Sequence, residues 1–114
     1  MKRNTEFHDF VVGDVLGHIF GITSRAMFGG WGIYKDGVIF ALIIGGVLYF
    51  KVGKENRAQF EKHGSKPFHY KNKSKDVILP YWELPEEVMG DREMIETWIA
   101  QSAAVSAAKK KHSQ

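Results

Sequence analysis

Two reversal signals, Lys35-Asp36-Gly37 and Gly45-Gly46, cut a long stretch of β-branched, aromatic and aliphatic residues into short pieces. Asp-Gly and Gly-Gly between β-prone runs favour tight turns, because glycine takes positive φ without steric cost. The chain is thereby directed toward short antiparallel strands. We read them as Arg25–Tyr34, Val38–Ile44 and Val47–Val52, a three-stranded meander whose middle strand is apolar on both faces and so the most buried. The apolar run from Val38 to Phe50 is broken at Gly45-Gly46 and is much shorter than the roughly 20 residues of a membrane helix. The start, MKRNTEFHDF, is not followed by an apolar segment and a small-residue cleavage site. These features direct the reading to a soluble cytoplasmic protein with no membrane partner.

Helical spacing flanks the meander. From Thr5 to about Phe20, residues Phe7, Phe10, Val11, Val15 and Ile19 recur every three or four positions, with Val12, Leu16 and Phe20 widening the stripe. Gly13 and Gly17 are costly inside such a helix and point to close approach by another element. Lys54–His63 reads as a short helix with Phe60 inward and Gly64 as its stop. A strand begins at Pro67-Phe68-His69-Tyr70, and a lysine-rich loop, KNKSK, precedes a strand over Val77–Leu84. Pro80 places that strand at an edge or on a bulge. Asp91 caps a last helix with the stripe Met94, Ile95, Trp98, Ile99 and Val105. The order α-β-β-β-α-β-β-α gives an α+β fold, an antiparallel sheet with helices. We expect one domain over residues 1–106 and a disordered basic tail over 107–114. A hydrophobic fraction of 44% suffices for a real core in 114 residues.

The glycine-rich stretch SRAMFGGWGIYKDG, Ser24–Gly37, is not a nucleotide loop. Lys35 stands where GxGxxG needs its third glycine, and no Gly-Lys-Ser/Thr ends it. Its resemblance to a GXXG nucleic-acid clamp fails because that clamp lies between helices. Glycines that permit a bulge or close backbone approach, with aromatics packed over them, account for the stretch better. His8, His18, His63, His69 and His112 form no metal-binding spacing, and no cysteine is present. No GxSxG elbow occurs, and Glu83, Glu86 and Glu87 read as edge-strand and helix-start charges. We expect no enzyme, no catalytic residue, no cofactor and no metal.

Charge is segregated. Residues 51–75 carry eight basic side chains against Glu55 and Glu61, and residues 76–96 reverse the balance. Lys62, Lys66, Lys71, Lys73 and Lys75 interleave with His63, Phe68, His69 and Tyr70, a pattern suited to phosphates and stacked bases. A solvated lysine-rich face explains the same residues. A nucleic-acid-binding module using the face of residues 62–75 is therefore the alternative reading.

Arg25, Met27, Phe28, Gly29, Gly30, Gly32, Ile33 and Tyr34, followed by Asp36-Gly37, Phe40-Ala41-Leu42, Leu48-Tyr49-x-Lys51 and Asn56-Arg57, resemble the TfoX (Sxy) N-terminal domain family. Gly64-Ser65-x-Pro67-Phe68 and Tyr81-Trp82-Glu83-x-Pro85-Glu86-Glu87 continue the resemblance in the same order. It implies a secretion-chaperone-like α+β fold and a place among cytoplasmic regulators of natural competence, co-activators that act beside the cAMP receptor protein. It carries over no catalytic residue. Full-length members have a second, helical domain, and the present sequence reads as a stand-alone form without it. The leading expectation is a non-enzymatic regulatory or protein-interaction domain with a protein partner, Arg25–Tyr34 and Tyr81-Trp82 supplying the partner surface. Because Trp31, Tyr49, Trp82 and Trp98 add more apolar area than short helices cover, we also expect a two-fold homodimer.

Overall fold

The computed structural model describes residues 5–27 and 29–112, with side chains as far as Ala108. It is an α+β domain, six antiparallel strands in one sheet of order β1-β2-β3-β4-β6-β5 with helices on one face. The strands are β1 (Ile22–Met27), β2 (Gly30–Lys35), β3 (Val38–Ile44), β4 (Val47–Lys51), β5 (Pro67–Asn72) and β6 (Lys75–Glu83). The helices are α1 (Thr5–Asp9), α2 (Arg57–Lys62), α3 (Glu86–Met89) and α4 (Arg92–His112).

The glycine-rich stretch is a hairpin, where the sequence reading had one strand. β1 and β2 pair from Ile22↔Lys35 to Met27↔Gly30, and Gly29 supplies a φ of +74° at the reversal. The meander therefore has four strands. Gly30 itself lacks positive φ. It is required by close approach, since a Cβ there would run into the Ile43 carbonyl oxygen of β3.

β3 explains how one strand buries two faces. Its register to β2 steps from Tyr34↔Ile39 to Ile33↔Ala41, which leaves Phe40 as an extra residue. Phe40 and Ala41 are both fully buried, and Phe40 meets Phe50 edge-on at 5.3 Å. The core forms between this face and α4, which crosses β2, β3 and β4 with Ile95, Trp98 and Ile99 inward. Asp91 starts α4 as expected, its Oδ1 accepting from the Met94 N–H at 3.0 Å. Phe60 of α2 packs against Trp98 at 4.7 Å. The Asn56 amide ties these layers together: Oδ1 accepts from Gly53 N–H at 2.8 Å, and Nδ2 donates to the Lys51 carbonyl at 3.0 Å. Buried Ser102 of α4 donates to the same carbonyl at 2.8 Å.

Other expectations shift. The first helix ends at Asp9 and continues as a π-helical turn over Phe10–Val15, in which Leu16 N–H donates to the Val11 carbonyl. The wide stripe is divided by this rewinding. Phe20 stands 93% exposed beyond it. Gly17 is close to Gly13 of its own segment, not to another element, because a Cβ there would meet the Gly13 carbonyl. The KNKSK loop is largely strand: Lys71 and Asn72 close β5, Lys75 opens β6, and only Lys73 and Ser74 turn. Pro80 lies on a bulge in an inner strand, where the β5 register jumps from Pro67↔Trp82 to His69↔Ile78. α4 runs on to His112, and much of the expected tail falls on side chains and residues outside those described.

Candidate functional site

Among the described residues, the sheet face opposite α4 has no helix over it in the way that α4 covers the inner face. Its centre is a groove of about 390 Å³ lined by Met27 from β1, Ile39, Leu42 and Ile44 from β3, and Phe68, Tyr70, Leu79 and Tyr81 from β5 and β6. In a flat sheet β1 and β5 would lie about 24 Å apart, five spacings of about 4.8 Å. One groove bordered by both edges therefore means that the sheet curls around this face. Leu42 is buried as its floor, whereas Tyr70 on the rim is 43% exposed.

The motif glycines build this concavity. Gly32 leaves space that Met27 fills, with Met27 Cε 2.8 Å and Sδ 2.9 Å from the position a Cβ would take. Arg25 pairs with Gly32 across the hairpin and is exposed on the same face, two residues from Met27. Tyr34, two residues on from Gly32 in β2, lies on the same face, which Tyr81 also lines. Burial pushes the Tyr81 phenol up to about 12, and the neighbouring Tyr34 adds to the rise. Lys51 Nζ lies 4.9 Å above the Tyr81 ring. Tyr49 packs edge-on against Phe68 at 5.2 Å, and its phenol is raised by burial and then by Glu83.

Of the partner-surface residues read from sequence, Arg25, Met27, Gly32, Tyr34 and Tyr81 converge on the concave face. Phe28 lies outside the described residues. Gly29 and Gly30 shape the hairpin behind it. Trp82 follows Tyr81 in an extended strand and so faces the other way, meeting Phe60 at 6.4 Å and lying beneath Arg57 at 5.7 Å. The sequence offered no sign of Leu42, Ile44, Phe68 and Leu79 as groove residues, because their convergence depends on sheet order and curl.

Lys62, Lys66, Lys71, Lys73 and Lys75 are all exposed. They do not form one cluster interleaved with aromatic platforms. Lys62 ends α2 and Lys66 precedes β5, whereas Lys71, Lys73 and Lys75 sit at the far end of that strand. Phe68 and Tyr70 turn into the groove, away from Lys71 on the opposite face of β5.

The fold also assembles an acid, a base and a hydroxyl that sequence spacing did not reveal. Asp9 Oδ1 lies 2.9 Å from His8 Nδ1, and His8 Nε2 lies 2.8 Å from Ser24 Oγ. This hydrogen-bond order is that of an acyl-transfer relay, whose acid is buried. Asp9 is instead 76% exposed. The His8 ring stacks on Trp31 at 4.0 Å, so the arrangement acts as a clasp between α1 and the β1–β2 hairpin. Among the described residues, no three His, Asp or Glu side chains are grouped to hold a metal ion, and no helix is long and apolar enough to cross a membrane.

Comparison with known proteins agrees with this architecture. The family model for the TfoX N-terminal domain matches residues 14–106. The DNA transformation protein TfoX1 of Aliivibrio fischeri is 34% identical over 63 residues, which are 55% of this chain and 30% of that relative. The match thus spans less than a third of the relative's length.

Proposed function

The chain belongs to the TfoX N-terminal domain family, a family of competence-related regulatory domains, and we propose that it works in the cytoplasm as a non-enzymatic module that regulates transcription through protein contacts. The concave face carries this reading. Apolar side chains from β1, β3, β5 and β6 surround one open groove, with Arg25 exposed beside it. Contiguous apolar surface of this kind marks a contact site. The first occupant is a second copy of the chain, in a two-fold dimer that covers both grooves. The lysine-bearing β5–β6 hairpin does not support the nucleic-acid alternative equally well, since Phe68 and Tyr70 point into the groove.

The reading is tested in cells with a reporter for competence-gene expression. Met27→Glu and Tyr70→Glu place charge in the groove at half-buried and exposed positions. Both variants are expected to keep the wild-type circular dichroism and to lose most reporter output. Folded variants with full output would contradict the proposal.

A further inference from the structure

On the reverse side of the β5–β6 hairpin, a second cleft of about 570 Å³ opens between α2, the segment leading into it, and β6. Its size is that of a ligand site. Lys54 and Arg57 border it on one side, and Pro67, Ile78, Pro80 and Trp82 on the other. Ile78 is 66% exposed, the indole of Trp82 is half-buried, and none of the described lining residues is a carboxylate.

We propose that this cleft docks an acidic peptide segment bearing an aliphatic or aromatic anchor, supplied by a partner protein. The anchor packs on Ile78, Pro80 and the Trp82 ring. The acidic groups are met by Lys54 and Arg57. Charge complementarity sets the choice of partner: two cations flank an apolar floor, and Trp and Arg are the residue types that dominate binding energy at interfaces. Arg57 is free to exchange its present contact. Its Nε lies 3.3 Å from Glu61, but both side chains are exposed, and an i,i+4 pair of this kind holds weakly. A planar guanidinium placed 5.7 Å over the Trp82 ring presents its remaining N–H donors for a bidentate carboxylate. Prolines at Pro67 and Pro80 also remove two backbone donors from the wall, so recognition there rests on side chains. A nucleic-acid strand is less well served. Aliphatic Ile78 and the two prolines occupy the positions where stacking rings would be needed.

This site and the groove proposed above share only Leu79 among their lining residues, none of the residues altered in one test lines the other site, and the two can fail separately. The test uses the whole chain and three probes. They are a fluorescein-labelled peptide built from Asp, Glu, Leu and Phe, its counterpart with Lys for each acid, and a fluorescein-labelled oligothymidine. Anisotropy reports binding, and the indole N–H resonances of the three tryptophans report its place, assigned with Trp82→Phe. The acidic peptide is expected to bind saturably and to move the Trp82 resonance while that of buried Trp98 stays. Ile78→Ser, at an exposed position, is expected to keep the wild-type circular dichroism and to weaken peptide binding by about tenfold, and Arg57→Glu should weaken it further. No saturable binding, equal binding of the lysine counterpart, an unmoved Trp82 resonance or an unaffected Ile78→Ser variant would overturn the proposal. Tighter binding of oligothymidine at the same residues would overturn it in favour of single-stranded nucleic acid.

Discussion

Met27 lies across Gly32, its Cε 2.8 Å from where a Cβ on that glycine would stand, and Ile39 Cδ1 closes the same space at 3.2 Å. The two residues belong to paired strands, so the contact spans the hairpin and forms one wall of the concave groove. A Cβ at position 32 competes directly with the thioether. Gly32→Ala should cost about 1–3 kcal/mol, within the range for overpacking. In a Met27→Ala background the same change should cost less, with a coupling of about 0.5–3 kcal/mol between the two. Denaturant melts of the four proteins in that cycle check it, and additive effects would show that Met27 does not occupy the space.

Gly30 has a stricter constraint, because its neighbour is backbone. A Cβ would meet the Ile43 carbonyl, which cannot swing aside without disturbing the β2–β3 ladder. Gly30→Val should lower stability by at least about 2 kcal/mol. A thermal melt equal to that of the wild type would remove close approach as the reason for this glycine.

Asn56 is buried, and it hydrogen-bonds Gly53 N–H and the Lys51 carbonyl where the chain leaves β4 for α2. Asn56→Leu removes the amide and leaves the Gly53 N–H without its acceptor, while the Lys51 carbonyl keeps its hydrogen bond from Ser102. An unsatisfied buried group costs about 1–3 kcal/mol. The variant should unfold at clearly lower denaturant concentration, and amide hydrogen exchange at Gly53 should quicken. Wild-type stability would mean that water replaces the side chain without loss.

Tyr81 predicts an alkaline limit to stability. Its folded-state phenol is raised from 10.0 to about 12, chiefly by burial. Below pH 10 the phenol is protonated in both states, and the contribution is fully present. As pH rises from about 10 to 12 the unfolded chain loses the proton first, so stability falls across that window, by at most about 1.4 kcal/mol per pKa unit. Tyr81→Phe should flatten this part of the stability–pH curve. An unchanged alkaline slope would place the Tyr81 phenol near its ordinary value.

Elements governed by local chemistry were legible in the sequence. Asp36-Gly37 and Gly45-Gly46 gave true reversals, with positive φ at all four residues, and Asp91 capped α4. Gly64 stopped α2 with a φ of +75°. What depended on distant partners was not legible. Arg25–Tyr34 looked like one strand because Met27, Trp31, Ile33 and Tyr34 are all β-prone, and Gly29's turn is visible only in the hairpin's register. The π-helical rewinding at Phe10–Val15 has no periodic signature that separates it from an α-helical stripe. Of the eight groove-lining residues, Met27 and Tyr81 were readable as motif residues of a partner surface, and Arg25, Gly32 and Tyr34 lie on the same sheet face without lining the groove. The other six, Ile39, Leu42, Ile44, Phe68, Tyr70 and Leu79, looked like ordinary core or lysine-flanked strand. Only the order β4-β6-β5 and the curl of the sheet bring them to Met27.

The central claim is that the concave face is a contact surface covered first by a second copy. Sedimentation equilibrium at micromolar concentration measures it most directly. The account predicts twice the 13.0 kDa chain mass for the wild type and a folded single-chain mass for Tyr70→Glu. A wild-type mass of 13.0 kDa throughout that range, or a Tyr70→Glu protein that still sediments as the dimer, would contradict it.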